Sequence, residues 1–147
     1  MQIRKSITVE KPLETVFAYL CDFTTTTEWD PGTVHTVRES GDGGIGTKYL
    51  NTSRFLGRQT QLTYIVHDLR PHRHIQLRGE NATLIANDTM TFTRAGGGTE
   101  VTYTADFTFK GVARFLAPLL RPAFRRLGDK AAAGMRSTLS ALPEPRA

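Results

Sequence analysis

The stretch IRKSITVEKPLETVFAYLCDFTTTTEWDP, residues 3–31, decides how the chain folds. Ile3, Ile7 and Val9 share one phase of a period-two pattern, which predicts a strand. Lys11-Pro12 ends it, and a proline is tolerated in the first turn of a helix because its missing amide has no helical partner there. Leu13, Val16, Phe17 and Leu20 then recur at i, i+3, i+4 and i+7, the spacing of a short helix with one buried face. Thr24 to Thr27 favour caps and turns, since their hydroxyls compete for backbone groups. A second short helical turn carrying Trp29 follows, stopped by Pro31-Gly32. A strand and two short helices therefore precede any second strand.

Downstream the texture changes. Between Val34 and Phe109, β-branched and aromatic residues dominate, and turn-forming residues divide them into six strands near 34–40, 46–54, 58–69, 73–80, 83–94 and 99–109. The breaks are Gly41-Asp42-Gly43-Gly44, Leu56-Gly57, Arg70-Pro71, Glu80-Asn81 and Gly96-Gly97-Gly98. Connections this short predict a meandering antiparallel sheet. Alternation in the last strand puts Val101, Tyr103, Ala105, Phe107 and Phe109 on the inner face. In the strand before it Asp88, Met90 and Phe92 share a phase, so a carboxylate points inward.

Past Gly111 the apolar spacing becomes three and four, through Val112, Phe115, Leu116, Leu119, Leu120, Phe124, Leu127, Ala131, Met135, Leu139 and Leu142. This predicts a long C-terminal helix. Pro118 and Pro122 each remove an amide donor, so a short helix is expected before a longer one from about Pro122. The single domain is expected to span residues 1–142, with 143–147 as a frayed tail.

Composition narrows the function classes. No apolar run reaches the roughly 20 residues of a membrane span. The first residues lack the apolar stretch of a secretory signal, so a cytoplasmic location is expected. Cys21 is the sole cysteine; an internal disulfide and a cysteine-based metal site are excluded, and it reads as a small buried hydrophobe. The formal net charge is +5, and six basic residues (Lys110, Arg114, Arg121, Arg125, Arg126 and Lys130) face one acid, Asp129, between positions 110 and 130. That segment is either a solvated helix face or a peripheral contact for an anionic membrane. Nucleic acid is not expected as a partner, and oligomeric state is left open.

Several segments carry a family resemblance: Ile7-Thr8-Val9-Glu10-Lys11-Pro12 with Val16-Phe17-Ala18-Tyr19-Leu20, then Trp29-Asp30-Pro31-Gly32, Gly46-Thr47-Lys48-Tyr49, Gly98-Thr99-Glu100-Val101-Thr102-Tyr103 and Phe109-Lys110-Gly111. Together they resemble the START-like (SRPBCC) superfamily, in its polyketide cyclase/dehydrase-type branch. The resemblance implies an α+β helix-grip fold, with a seven-stranded curved antiparallel sheet wrapped around the C-terminal helix. It also implies a cavity for an apolar or amphipathic molecule such as a lipid, polyketide or aromatic.

Chemistry is sparse by comparison. The serines lack a Gly-x-Ser-x-Gly context, and His35, His67, His72 and His74 lack metalloprotease spacing; His72 and His74 flank a turn, where exposure is expected. The glycine clusters match neither a dinucleotide nor a phosphate loop. No metal or cofactor is called for. Alternation points Tyr49, Asn51, Tyr64, Asp88 and Tyr103 inward beside Leu62, Val66, Ile75, Leu77, Met90, Phe92 and Phe107, and a few polar groups in an apolar lining suit a small-molecule pocket. Trp29 is either packing or a wall at the pocket entrance, where the threonine run supplies motion. The candidate ligand-binding set is Trp29, Tyr49, Asn51, Tyr64, Asp88, Phe92, Tyr103 and Phe107. Asp88 is either an acid or base for cyclisation or dehydration, assisted by Asn51 or a tyrosine, or a structural carboxylate at the strand mouth or paired with Arg78. Binding protein and cyclase/dehydratase both remain open on the sequence.

Overall fold

The alternating segments pair edge to edge in the computed structural model, which describes residues 1–143. The elements run β1 (Gln2–Val9), α1 (Leu13–Leu20), a 3-10 turn (Phe23–Thr25), α2 (Thr26–Trp29), β2 (Thr33–Ser40), β3 (Lys48–Phe55), β4 (Arg58–Arg70), β5 (His74–Glu80), β6 (Leu84–Ala95), β7 (Gly98–Phe109), a second 3-10 turn (Gly111–Phe115) and α3 (Ala117–Ser140). Each strand lies within two residues of its predicted bounds.

Among the described residues the seven strands form one sheet in the order β1-β7-β6-β5-β4-β3-β2, every pair antiparallel. Strands β2 to β7 meander, and β1 closes onto β7 with Ile3 opposite Ala105 and Val9 opposite Thr99. Register shifts at Thr33/His35, Arg38/Ser40 and Val66/Asp68 bend the sheet, as an extra residue on one strand does. The resulting concave face holds α3. This is the helix-grip architecture expected from the sequence.

The helices depart from expectation in instructive ways. Pro12 is the N-cap of α1, extended at φ −60° and ψ 145°, one position ahead of the helix proper. The threonine run is helical: Thr25 and Thr26 are buried, with Thr25 Oγ1 donating to the Asp22 carbonyl at 2.8 Å and Thr26 Oγ1 to the Phe23 carbonyl at 2.8 Å. Their hydroxyls bond back to the preceding turn, so the run is a braced corner instead of a flexible one. Cys21 is half-buried at the end of α1, its thiol directed at the Ala18 carbonyl. His72 is exposed as expected, but His74 is half-buried against Asp68.

The expected break in the last helix comes earlier than Pro122. The chain pivots at Leu116, between the 3-10 turn and α3, so Pro118 falls at the second helical position where no amide bond is lost. Pro122 then costs one hydrogen bond within a continuous helix. α3 buries Phe124, Gly128, Ala131, Met135 and Leu139 along one stripe, while its first turn stays exposed apart from half-buried Ala117 and Leu120.

Two glycines set how closely α3 approaches its neighbours. A Cβ on Gly128 would lie 2.5 Å from Ile3 Cγ2 on β1, and one on Gly134 would overlap the Trp29 carbonyl oxygen that ends α2. Within a helix alanine is favoured over glycine by about 1 kcal/mol, so only the close approach explains glycine at 134. Below this contact the core is solid: Val16, Leu20, Tyr49, Val66, Ile75, Leu77, Met90, Val101, Met135 and Leu139 are almost wholly buried.

Gly134→Ala is therefore expected to destabilise the fold by about 1–3 kcal/mol despite alanine's helix propensity. Gly97→Ala, where nothing lies within 4 Å of an added Cβ, serves as the control. Urea unfolding measures both, and an alanine at 134 that stabilises would refute the contact.

Candidate functional site

Above the solid core the concave face and α3 separate, leaving a cavity of about 430 Å³. Its walls come chiefly from β3, β4, β6 and β7 on one side and from Leu120, Phe124, Leu127 and Ala131 of α3 on the other. Leu56, Arg58 and Thr83 line it while exposed to solvent, so it opens between the β3–β4 hairpin, the β5–β6 turn and the start of α3. An aromatic cluster lies near this end: Phe124 packs on Phe55, Phe107 and Phe109 with ring centroids 4.6, 4.8 and 5.7 Å apart.

The polar floor follows from strand phase. Asp88 on β6 lies opposite Leu77 of β5 and Ala105 of β7, so its side chain enters an apolar layer and is 4% exposed. Two pairs along, on the same face, Tyr103 lies opposite Met90, and its hydroxyl donates to Asp88 Oδ2 at 2.8 Å. No described group donates to Asp88 Oδ1, a buried carboxylate oxygen on the cavity wall. Leaving such an atom without a donor costs about 1–3 kcal/mol.

Burial dominates the electrostatics. Desolvation pushes the Asp88 carboxyl up to about 7, with the Tyr103 hydrogen bond opposing and the charge of Asp30 adding to the rise. The same burial, with Asp88 nearby, holds the Tyr64 and Tyr103 hydroxyls well above the ordinary tyrosine value. Both tyrosines are neutral donors at any physiological pH. Tyr64 is seated by a missing side chain: its ring lies across Gly79 on β5, where a Cβ would come within 2.6 Å of Cε1.

Six of the eight candidate residues meet at the cavity: Trp29, Asn51, Tyr64, Asp88, Tyr103 and Phe107. Tyr49 and Phe92 are on the concave face but below it, in the solid core, where Tyr49 packs on Phe23 and Phe92 on Phe17. Val66, Ile75, Leu77 and Met90 are likewise core, not lining. Trp29 is 2% exposed and is an inner wall instead of an entrance, its ring 6.0 Å from Tyr103 and its indole N–H directed to Thr25 Oγ1.

Asn51 is committed elsewhere. Ser53 Oγ donates to Asn51 Oδ1 at 2.6 Å, Asn51 Nδ2 donates to Thr36 Oγ1 at 2.8 Å, and the Thr36 hydroxyl lies 2.7 Å from Thr26 Oγ1. Because Thr26 spends its proton on the Phe23 carbonyl, Thr36 must donate to Thr26, and the chain runs one way from β3 to the corner before α2. Asp88 likewise has no bond to Arg78, which lies outward beside Glu80.

The sequence reading missed Asp30. Burial raises its carboxyl, while the Gly32 amide at 3.0 Å and the Thr33 hydroxyl at 3.0 Å lower it. Both oxygens thus hold the turn into β2. An aspartate two residues before Gly32 was the available signal, an Asx-turn pattern, but nothing periodic marked it as a cavity residue.

The comparisons with known proteins agree with this geometry. A family model described as polyketide cyclase/dehydrase and lipid transport matches residues 1–140. Among solved structures, TTHA0849 of Thermus thermophilus superposes with a TM-score of 0.82 at 14% identity, over 97% of this chain and 100% of that one. The Zhui aromatase/cyclase of a Streptomyces species gives 0.79 at 15% identity, over 94% and 92%. BexL, a di-domain ARO/CYC, gives 0.74 at 13% identity, over 97% of this chain and 51% of its own. At such identities the likeness speaks for the fold. No curated protein sequence matches the chain.

The raised carboxyl predicts a pH signature. The folded state binds the Asp88 proton up to about pH 7, and the unfolded state releases it near the ordinary value of 3.8. Wherever the folded state holds more protons, stability falls as pH rises. The loss therefore accumulates between about pH 4 and pH 7 and levels off above, amounting to about 4 kcal/mol. Asp88→Asn removes it, so the stability of this variant relative to wild type should climb across that window in urea unfolding. A difference independent of pH would show that Asp88 does not titrate there.

Proposed function

We propose that this chain, which belongs to the polyketide cyclase/dehydrase and lipid transport family, holds a hydrophobic small molecule in the cavity between sheet and α3. The observation that carries the reading is an apolar cavity of about 430 Å³ with an undonated carboxylate oxygen, Asp88 Oδ1, in its wall. The volume lies in the usual range for small-molecule sites. Phe107, Phe109, Phe124, Leu62 and Leu84 supply contact area, and a hydroxyl or N–H on the ligand would meet Asp88 Oδ1. Such a ligand is a polyketide, aromatic or lipid with one polar end.

A second reading, catalysis, is favoured by the Asp88–Tyr103 pair specifically. A carboxyl near 7 is divided between acid and base at neutral pH, the condition for moving protons in both directions. On a β-polyketone, ionised Asp88 would take a proton from the carbon between two carbonyls. The electron pair left behind, as the enolate, would form the ring bond to a second carbonyl carbon. The oxygen of that carbonyl would then take the proton back from Asp88. Nothing is oxidised or reduced. Tyr103 is the neutral donor that steadies the carboxylate while it is charged. The solved aromatase/cyclase of the same fold lends this class of reaction its plausibility.

The first reading is tested with the neutral apolar fluorophore 1-N-phenylnaphthylamine. Saturable binding with blue-shifted emission is expected, and Ala105→Phe, which fills the cavity from β7, should weaken it about tenfold or more. Leu120→Trp at the mouth provides a second variant should the first disturb folding. Undiminished binding in both would refute the cavity reading. For catalysis, Asp88→Asn should keep fluorophore affinity within about threefold while reducing cyclisation of a β-polyketone thioester by at least about a hundredfold. Equal turnover in the two proteins would remove Asp88 from the chemistry.

A further inference from the structure

The apolar spacing that predicts the C-terminal helix begins at Val112, but its first residues do not enter the core. Val112, Phe115, Leu116 and Leu119 are 82%, 68%, 53% and 77% exposed, on the 3-10 turn and the start of α3. Leu56, 66% exposed, occupies the tip of the β3–β4 hairpin at φ 51° and lines the cavity across from Leu120 of α3. That left-handed conformation suits glycine or asparagine and strains a leucine. Both segments frame the cavity mouth, where Leu56 and Leu120 are lining residues. Four large apolar side chains exposed within eight residues leading to Leu120, with Leu56 exposed on the hairpin across the cavity, exceed the scattered exposure of an ordinary surface.

Charge surrounds this rim. Arg114, Arg121, Arg125, Arg126 and Lys130 lie on the same segment, and among the described residues no carboxylate pairs with any of them. The segment's acid, Asp129, is taken by Lys5, and Lys110 is taken by Glu80. Arg114 lies over the Phe115 ring, 4.8 Å from its centroid, so cation and apolar tip project together. A surface that is apolar at its centre and cationic around it is complementary to a bilayer interface with anionic headgroups. A second copy of the chain would instead bring five unpaired cations against five.

We propose that this rim seats in the interface of an anionic bilayer, with Leu56, Val112, Phe115, Leu116 and Leu119 reaching the acyl boundary and the arginines meeting lipid phosphates. The cavity mouth then opens onto lipid instead of water. Attachment is peripheral, as no described helix is long and apolar enough to cross a membrane. The inference goes beyond the cavity reading and stands whether or not a ligand is bound.

Vesicle co-sedimentation of the full chain tests it. Vesicles of phosphatidylcholine with about 30% phosphatidylglycerol should bind at least about tenfold more tightly than phosphatidylcholine alone, and binding should weaken as salt rises from about 0.05 to 0.5 M. Phe115→Ser with Leu119→Ser should cost a further tenfold or so. Both side chains are exposed, so melting temperature and 1-N-phenylnaphthylamine binding should stay as in wild type, which separates this proposal from the cavity reading. In Phe115→Trp, the new indole should shift to shorter emission wavelength on anionic vesicles. Three results would overturn the proposal: no binding to anionic vesicles, wild-type binding by the serine variant, or a dimer in sedimentation equilibrium that the serine variant dissociates.

Discussion

The close seating of α3 against Trp29 and Ile3 is the constraint on which the rest of the molecule depends. Gly134 and Gly128 allow the helix to touch the end of α2 and the edge strand β1 without a side chain between them. From there to Leu139 the helix buries Met135 and Leu139 against a solid layer, sealed from below by α1. A straight helix anchored at that half cannot also follow the sheet as it curves away. Its first turns therefore stand off the concave face, and Phe124, packed among Phe55, Phe107 and Phe109, bridges the gap. The cavity is the space that this one-ended anchoring leaves.

Within that space Asp88 is held in a compromise. A fully buried carboxylate is costly, and the one hydroxyl supplied to it, from Tyr103, offsets only part of the cost. The group answers by resisting ionisation. An arginine at this position would have secured the charge permanently and abolished its responsiveness. Arg78 is only one strand away, but it sits on the opposite face beside Glu80. Strand alternation alone thus separates a carboxyl that titrates near neutrality from a cation that would have quenched it.

How much of this was legible in the sequence depends on which physical signal carries each feature. Period-two alternation is strong, so the seven strands, and the inward phase of Asn51, Tyr64, Asp88, Tyr103 and Phe107, could be read directly. Alternation sorts faces, however, and is blind to depth along a strand: Tyr49 and Phe92 share the inner face with the lining residues but fall where α1 and Phe23 close the core. Asp30 sits in a corner without period, and its role rests on hydrogen bonds to Gly32 and Thr33 that no pattern announces. The helical stripe misled in a different way. Val112, Phe115 and Leu119 continue the spacing of Phe124 and Leu127, and spacing states that a face is apolar without saying what covers it.

The two halves of the site also bear on each other. An exposed mouth admits water, which screens Asp88 and favours its ionised form. A mouth sealed against lipid would exclude that water and favour the neutral acid, because desolvation is already the largest contribution to its raised value. Docking and protonation would then push in the same direction, toward a carboxylic acid that donates a hydrogen bond instead of a carboxylate that accepts one. Release from the bilayer would reverse both. The chain needs no hinge for such a coupling, since the braced threonine corner and the glycine contacts keep α3 fixed while only the dielectric at the mouth changes. A cavity in which Asp88 senses what lies across the opening is therefore within the physics of this fold.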